Sequence, residues 1–185
     1  MNRARLMYVI NNLRREVNQN FSKALSDWYV TKVSMTTDHI ADRFLDRSAS
    51  VKKDFAIYSE ILNSLAKHYS CNVLHYAVKA KNEGMQEVIA YRRINGKVFA
   101  CAFTVQMFEN MDDSIAHEKP VIAVRFRTVI PEYTLSLNTR NAIHVNYIAP
   151  KIKFEYDGYR RVMSRLDRLI ASKDCPPQLH MLKNI

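Results

Sequence analysis

The dipeptide Asn95-Gly96 lies between two β-prone runs, "EVIAYRRI" and "KVFACAFTVQ", and constrains the fold more strongly than any other feature of the chain. A two-residue type I′ turn needs positive φ at both central positions, and Asn-Gly tolerates that best. It predicts a hairpin with Ile94 opposite Lys97. Side chains alternate with period two, so this register puts Val88, Ala90, Arg92, Phe99, Cys101, Phe103 and Val105 on one face, the apolar one. Glu87, Ile89, Tyr91, Arg93, Ala100, Thr104 and Gln106 fall on the other.

Upstream of the hairpin the period is helical. Leu6, Ile10, Leu13, Val17 and Phe21 recur at steps of three and four and predict an N-terminal helix. A short extended piece, "WYVTKVSM", follows. Thr36, Thr37 and Asp38 are good N-cap and first-turn residues for a second helix that turns Ile40, Ala41, Phe44 and Leu45 inward. A third, from about Lys52 to Tyr69, buries Phe55, Tyr58, Ile61, Leu62 and Leu65. "NVLHYAVKAK" then alternates Leu74, Tyr76 and Val78 with His75, Ala77, Lys79 and Lys81, which predicts a half-buried strand.

After the polar loop "ENMDDSIAHEKP", the run "VIAVRFRTVI" predicts another strand. Ile122, Val124, Phe126 and Ile130 face the core, and Arg125, Arg127 and Val129 face water. Segments 133–138 and 142–148 can add a further hairpin. Asp157 to Ser172 predicts a final amphipathic helix with Arg160, Arg161, Arg165 and Arg168 on its outer face, ended by Pro176-Pro177, with a loose tail over 174–185. The fold class that results is one α+β domain over 1–185: N-terminal helices on an antiparallel sheet, with a C-terminal helix.

Composition narrows function. With 28 Lys and Arg against 18 Asp and Glu the net charge is +10, which points to a polyanionic partner, RNA or DNA first. No apolar run is long enough to span a bilayer. The apolar stretch near the N-terminus breaks at Asn11-Asn12 without a cleavage site, so a cytoplasmic protein is expected. Cys71, Cys101 and Cys175 show no paired spacing for disulfides or zinc, and the scattered His68, His117, His144 and His180 show no ligand spacing, so no metal is expected. Three glycines are too few for a phosphate loop, so no nucleotide cofactor is expected either.

Within this basic chain, "TTDHIADRFLDRS" holds His39, Arg43 and Arg47 at a spacing of four. On a helix they form a stripe about 80° wide beside the apolar one. Asp46 lies within reach of Arg43, so a rim of weak surface ion pairs is the plain explanation. Three runs read as strands also put His75, Lys79 and Lys81, then Tyr91 and Arg93, then Arg125 and Arg127, opposite the core, with Glu87 the single acid among them. Such a face can neutralise phosphates and offer a ring to a splayed base.

The order "DHIADRFLDR", "EVIAYRRINGKVFACAFTV", "VIAVRFRTVI" resembles small phage and mobile-element proteins related to the RelE and BrnT toxin group, over about residues 30–130. That resemblance implies a helix-on-sheet fold and metal-independent RNA cleavage. Such cleavage needs the 2′-OH deprotonated, the leaving 5′-oxygen protonated and charge on phosphorus stabilised. In this reading His39 is the acid or base, and Arg43, Arg93, Arg125 and Arg127 clamp the phosphate. Lys79, Lys81 and Tyr91 position RNA, with His75 on the same basic face, while Arg47 serves either RNA or the helix–sheet contact. Two alternatives stand beside it: a non-catalytic RNA- or DNA-binding protein that also uses the Arg-rich last helix, and a phage protein that docks on an acidic host protein.

Overall fold

Asn95 and Gly96 adopt φ of 49° and 78° in the computed structural model of the chain, the two positive values that the turn requires. Ile94 pairs with Lys97, and the register runs unbroken to Gln86 opposite Val105. Residues 1–109, 119–130 and 141–146 are described. All belong to one compact unit, Met1–Asn146.

The chain runs α1 (Arg3–Leu25), β1 (Val30–Met35), α2 (Thr37–Arg47), α3 (Val51–His68), α4 (Ser70–Glu83), β2 (Gln86–Ile94), β3 (Lys97–Phe108), β4 (Val121–Ile130) and β5 (Ala142–His144). The fold is α+β, and the five described strands form one sheet in the order β1-β4-β3-β2-β5. Its centre, β2-β3-β4, is antiparallel as predicted, but β1 joins β4 and β5 joins β2 in parallel, so the sheet is mixed. Parallel neighbours need a long crossover, which α2, α3 and α4 provide between β1 and the central hairpin. The predicted partner of β5 at 133–138, the final helix with its four arginines, and the tail lie outside the described residues.

Local chemistry explains where the helices begin. The Arg5 N–H donates to Asn2 Oδ1 at 2.9 Å, which caps α1. Thr36 ties the end of β1 to β4, its Oγ1 and N–H donating to the Phe126 carbonyl at 3.1 and 3.0 Å. α1 buries Leu6, Ile10, Leu13, Val17, Phe21 and Leu25, the periodic set with one addition. α2 buries Ile40, Ala41 and Phe44, whereas Leu45, expected inside, is 38% exposed because it falls one step past that narrow stripe.

The strand expected at 72–81 is helix α4. Val73, Leu74, Tyr76, Ala77, Val78 and Ala80 are all buried, so apolar side chains surround most of its circumference. The polar stripe that remains, Asn72, His75, Lys79, Asn82 and Glu83, is narrow and does recur at helical steps, but the local alternation of Leu74, Tyr76 and Val78 inside the broad apolar arc imitates period two. The correction moves His75, Lys79 and Lys81 off the sheet and into the helical layer.

A second correction concerns β4. Ala102 pairs with Thr128 and Phe103 with Phe126, which leaves Arg127 as the extra residue of a β-bulge. Alternation resets there. Val129, expected outside, is 1% exposed, and Ile130 turns away from the core.

The four helices cover the face of Val88, Phe103, Val105, Val124 and Phe126. Phe44 meets Phe55 and Tyr58 edge-on at centroid distances of 5.8 and 5.5 Å, although Phe55 itself is only half-buried. Tyr58 is fully buried and its hydroxyl finds no hydrogen-bond partner among the described residues. An orphan hydroxyl costs about 1–3 kcal/mol of desolvation with no return. Tyr58→Phe should therefore raise stability by about 1 kcal/mol in urea unfolding, and a lower midpoint would mean that the hydroxyl is bonded. Burial also pushes the neighbouring Cys101 thiol up to about 12, which leaves it unreactive in the folded chain.

Candidate nucleic-acid interface

On the sheet face that the helices leave, register sets out side chains in rows. Ser34, Arg125, Thr104 and Glu87 make one row across β1, β4, β3 and β2. Lys32, Ala123 and Gln106 make the row toward one end. Toward the other end come Thr128, Ala102, Ile89 and Ala142, and then Ile130, Ala100, Tyr91 and His144. Arg93 stands beyond, opposite Val98.

The cations of this face are not equivalent. Arg127 Nη1 donates to Glu87 Oε1 at 3.1 Å, so the bulge residue on β4 reaches across β3 to β2. Thr104 lies beneath that bridge and is 5% exposed. The one described acid of this face is thus taken by one arginine. Lys32, Arg93 and Arg125 form no ion pair with a described residue and remain for an external anion.

Their spacing decides what they can do together. Arg125 stands in the Glu87 row and Arg93 six residues further along β2, about 20 Å at ~3.3 Å per residue. Two guanidiniums so far apart do not grip one phosphate. Lys32, Arg125 and Arg93 mark points along a track, and the single clamp expected of Arg93, Arg125 and Arg127 is not assembled.

His39, Arg43 and Arg47 lie on α2, whose Ile40, Ala41 and Phe44 pack into the helical layer. The sheet separates them from Arg93, Arg125 and Arg127. Arg43 Nε donates to His39 Nε2 at 3.4 Å, a long contact within the stripe. Asp46 makes no ion pair with Arg43; instead Asp38 and Asp42 bind Arg3 of α1 at 2.9 and 2.8 Å. The guanidinium of Arg3 lowers the Asp42 carboxyl through that hydrogen bond. On α4, Lys79 pairs with Glu83 at 3.5 Å and Lys81 with Glu109, while His75 packs edge-on against Tyr76. The row in the second helix is therefore a charged edge, and the α4 cations are balanced by carboxylates.

One residue enters the site that sequence reasoning set aside. His144 on β5 lies opposite Tyr91, and the two rings stack with centroids 4.8 Å apart and planes at 10°. The Val145 N–H donates to the Tyr91 carbonyl at 2.8 Å and locks that register. Burial of the ring, and second the charge of Arg93, hold the imidazole below the ordinary histidine value near 6.5. The residue as a whole is exposed; the water it loses is on the ring face against Tyr91.

A depressed histidine value means that the unfolded chain binds the proton more readily. The neutral ring thus stabilises the fold above the ordinary value, and that contribution is lost as pH falls through the lowered one. In a proton NMR titration His144 should titrate below a free histidine, and Arg93→Ala should recover only the smaller part of the shift. Full recovery would make Arg93 the main cause.

Among the described residues no three His, Cys, Asp or Glu converge as a metal site, and no helix is long and apolar enough to cross a membrane. The chain matches no family model, no curated protein and no solved structure.

Proposed function

We propose that this protein binds nucleic acid, RNA above all, along the outer face of its sheet. The observation that carries the reading is the track: Lys32, Arg125 and Arg93 make no ion pair with a described residue, along one face whose only described acid is already engaged by Arg127. Each phosphate neutralised by such a side chain releases a counterion, so three contacts to a single strand give a log–log salt slope of roughly −2. The net charge of +10 adds long-range attraction of the same sign.

Cleavage is the second reading, and it now attaches to Tyr91, His144 and Arg93, where a phenol, an imidazole and a guanidinium lie together. The imidazole would take the 2′-OH proton, the 2′-oxygen would bond to phosphorus as the bond from phosphorus to the 5′-oxygen breaks, and that oxygen would leave with the Tyr91 phenol proton, which the imidazolium then restores. The full chain incubated with single-stranded RNA in EDTA tests both. Salt-dependent binding with intact RNA supports the binding protein, and fragments ending in 2′,3′-cyclic phosphate support the ribonuclease. Absence of any salt-dependent binding would overturn the nucleic-acid reading and leave docking on an acidic protein.

A further inference from the structure

We infer that the Tyr91–His144 stack is a seat for one unpaired nucleobase, at the β5 edge of the phosphate track. The inference rests on the nucleic-acid reading and adds what part of the polymer is recognised there. In the order β1-β4-β3-β2-β5, β5 is the last described strand, so His144 has Tyr91 on one side and no described strand on the other. Its inner ring face is covered by Tyr91 at 4.8 Å, and the residue is otherwise exposed.

A ring already held by its neighbour has little rotational freedom left to lose when a third ring is added. The depressed titration keeps the imidazole uncharged near neutral pH, so stacking a base on it does not strip water from a cation. Arg93, two residues beyond Tyr91 on the same face of β2, is placed to take a phosphate next to the seated base. Stacking on a ring face is tolerant of sequence, since every base offers a π surface. It does require that the base be unpaired, because a duplex hides both faces. The ligand is therefore an unpaired base of a single strand, RNA or DNA.

The test uses the full chain and 2-aminopurine placed in a single-stranded RNA, in the same sequence as DNA, and in the duplex. Binding should quench the fluorescence of both single strands and leave the duplex unchanged. His144→Ala should abolish the quenching and weaken single-strand binding roughly tenfold, with the salt slope retained, and His144→Phe should restore both. Thermal melts of each variant separate loss of the seat from loss of fold. Quenching that survives His144→Ala in a folded protein overturns the seat and leaves the track standing. Absence of binding by any strand removes both, and quenching of RNA alone replaces the ring-face mechanism with one that reads the sugar.

Discussion

Replacing Arg93 and Arg125 together with alanine should weaken single-stranded RNA binding roughly 25-fold at ~0.1 M salt. The figure follows from counterion release: two contacts, each about 0.7 in the log–log slope, over the one decade between 0.1 M and 1 M salt, give about 1.4 decades. The slope itself should flatten from roughly −2 to about −0.7. Arg43→Ala with Arg47→Ala is the matched comparison, since it also removes two positive charges but from α2, across the sheet from the track. That pair should change affinity less than about threefold. Equal losses from the two double variants would mean that only net charge matters, and a larger loss from the α2 pair would move the site to the helical layer. Filter binding over a salt series on the parent protein and the two double variants reads all of these.

Phe44→Ala is expected to cost about 3–5 kcal/mol, the range for removing a buried phenyl ring. Phe44 is 0% exposed and its ring joins α2 to α3 through Phe55 and Tyr58, so truncation opens a cavity between two helices. Leu45, its neighbour in sequence, is 38% exposed, and Leu45→Ala should change stability by less than about 0.5 kcal/mol. Urea unfolding followed by circular dichroism gives both values. Should Phe44→Ala fail to fold, Phe44→Leu retains part of the volume and a loss of about 1–2 kcal/mol is expected. Equal effects at 44 and 45 would contradict the packing of α2.

Local signals carried well from sequence to structure, and non-local ones did not. Asn95-Gly96 fixes its own φ values and thereby a whole ladder, so the hairpin and its faces were readable. The three- and four-residue steps of α1 report one buried stripe on an otherwise polar helix. α4 hides its period because so much of its circumference is apolar. The pairing of Val30 with Val121 joins positions far apart in the chain, and only tertiary packing selects it. His144 shows the effect on the site: alternation puts Tyr91 on the outer face, but that His144 lands beside it depends on a parallel register with no turn to announce it. The arginines were found as residues, and their separation along the strands became visible only once Arg125 and Glu87 shared a row.

The bulge on β4 has an evolutionary consequence. Excising Arg127 would leave Phe126 opposite Phe103, Thr128 opposite Ala102 and Val129 opposite Cys101, a regular ladder with Ile122, Val124, Phe126 and Val129 still facing inward. Elsewhere in a strand the loss of one codon turns all subsequent side chains inside out. At this position a lineage can drop a residue, surrender the bridge to Glu87 and keep its interior, so the middle of β4 can vary in length as loops ordinarily do.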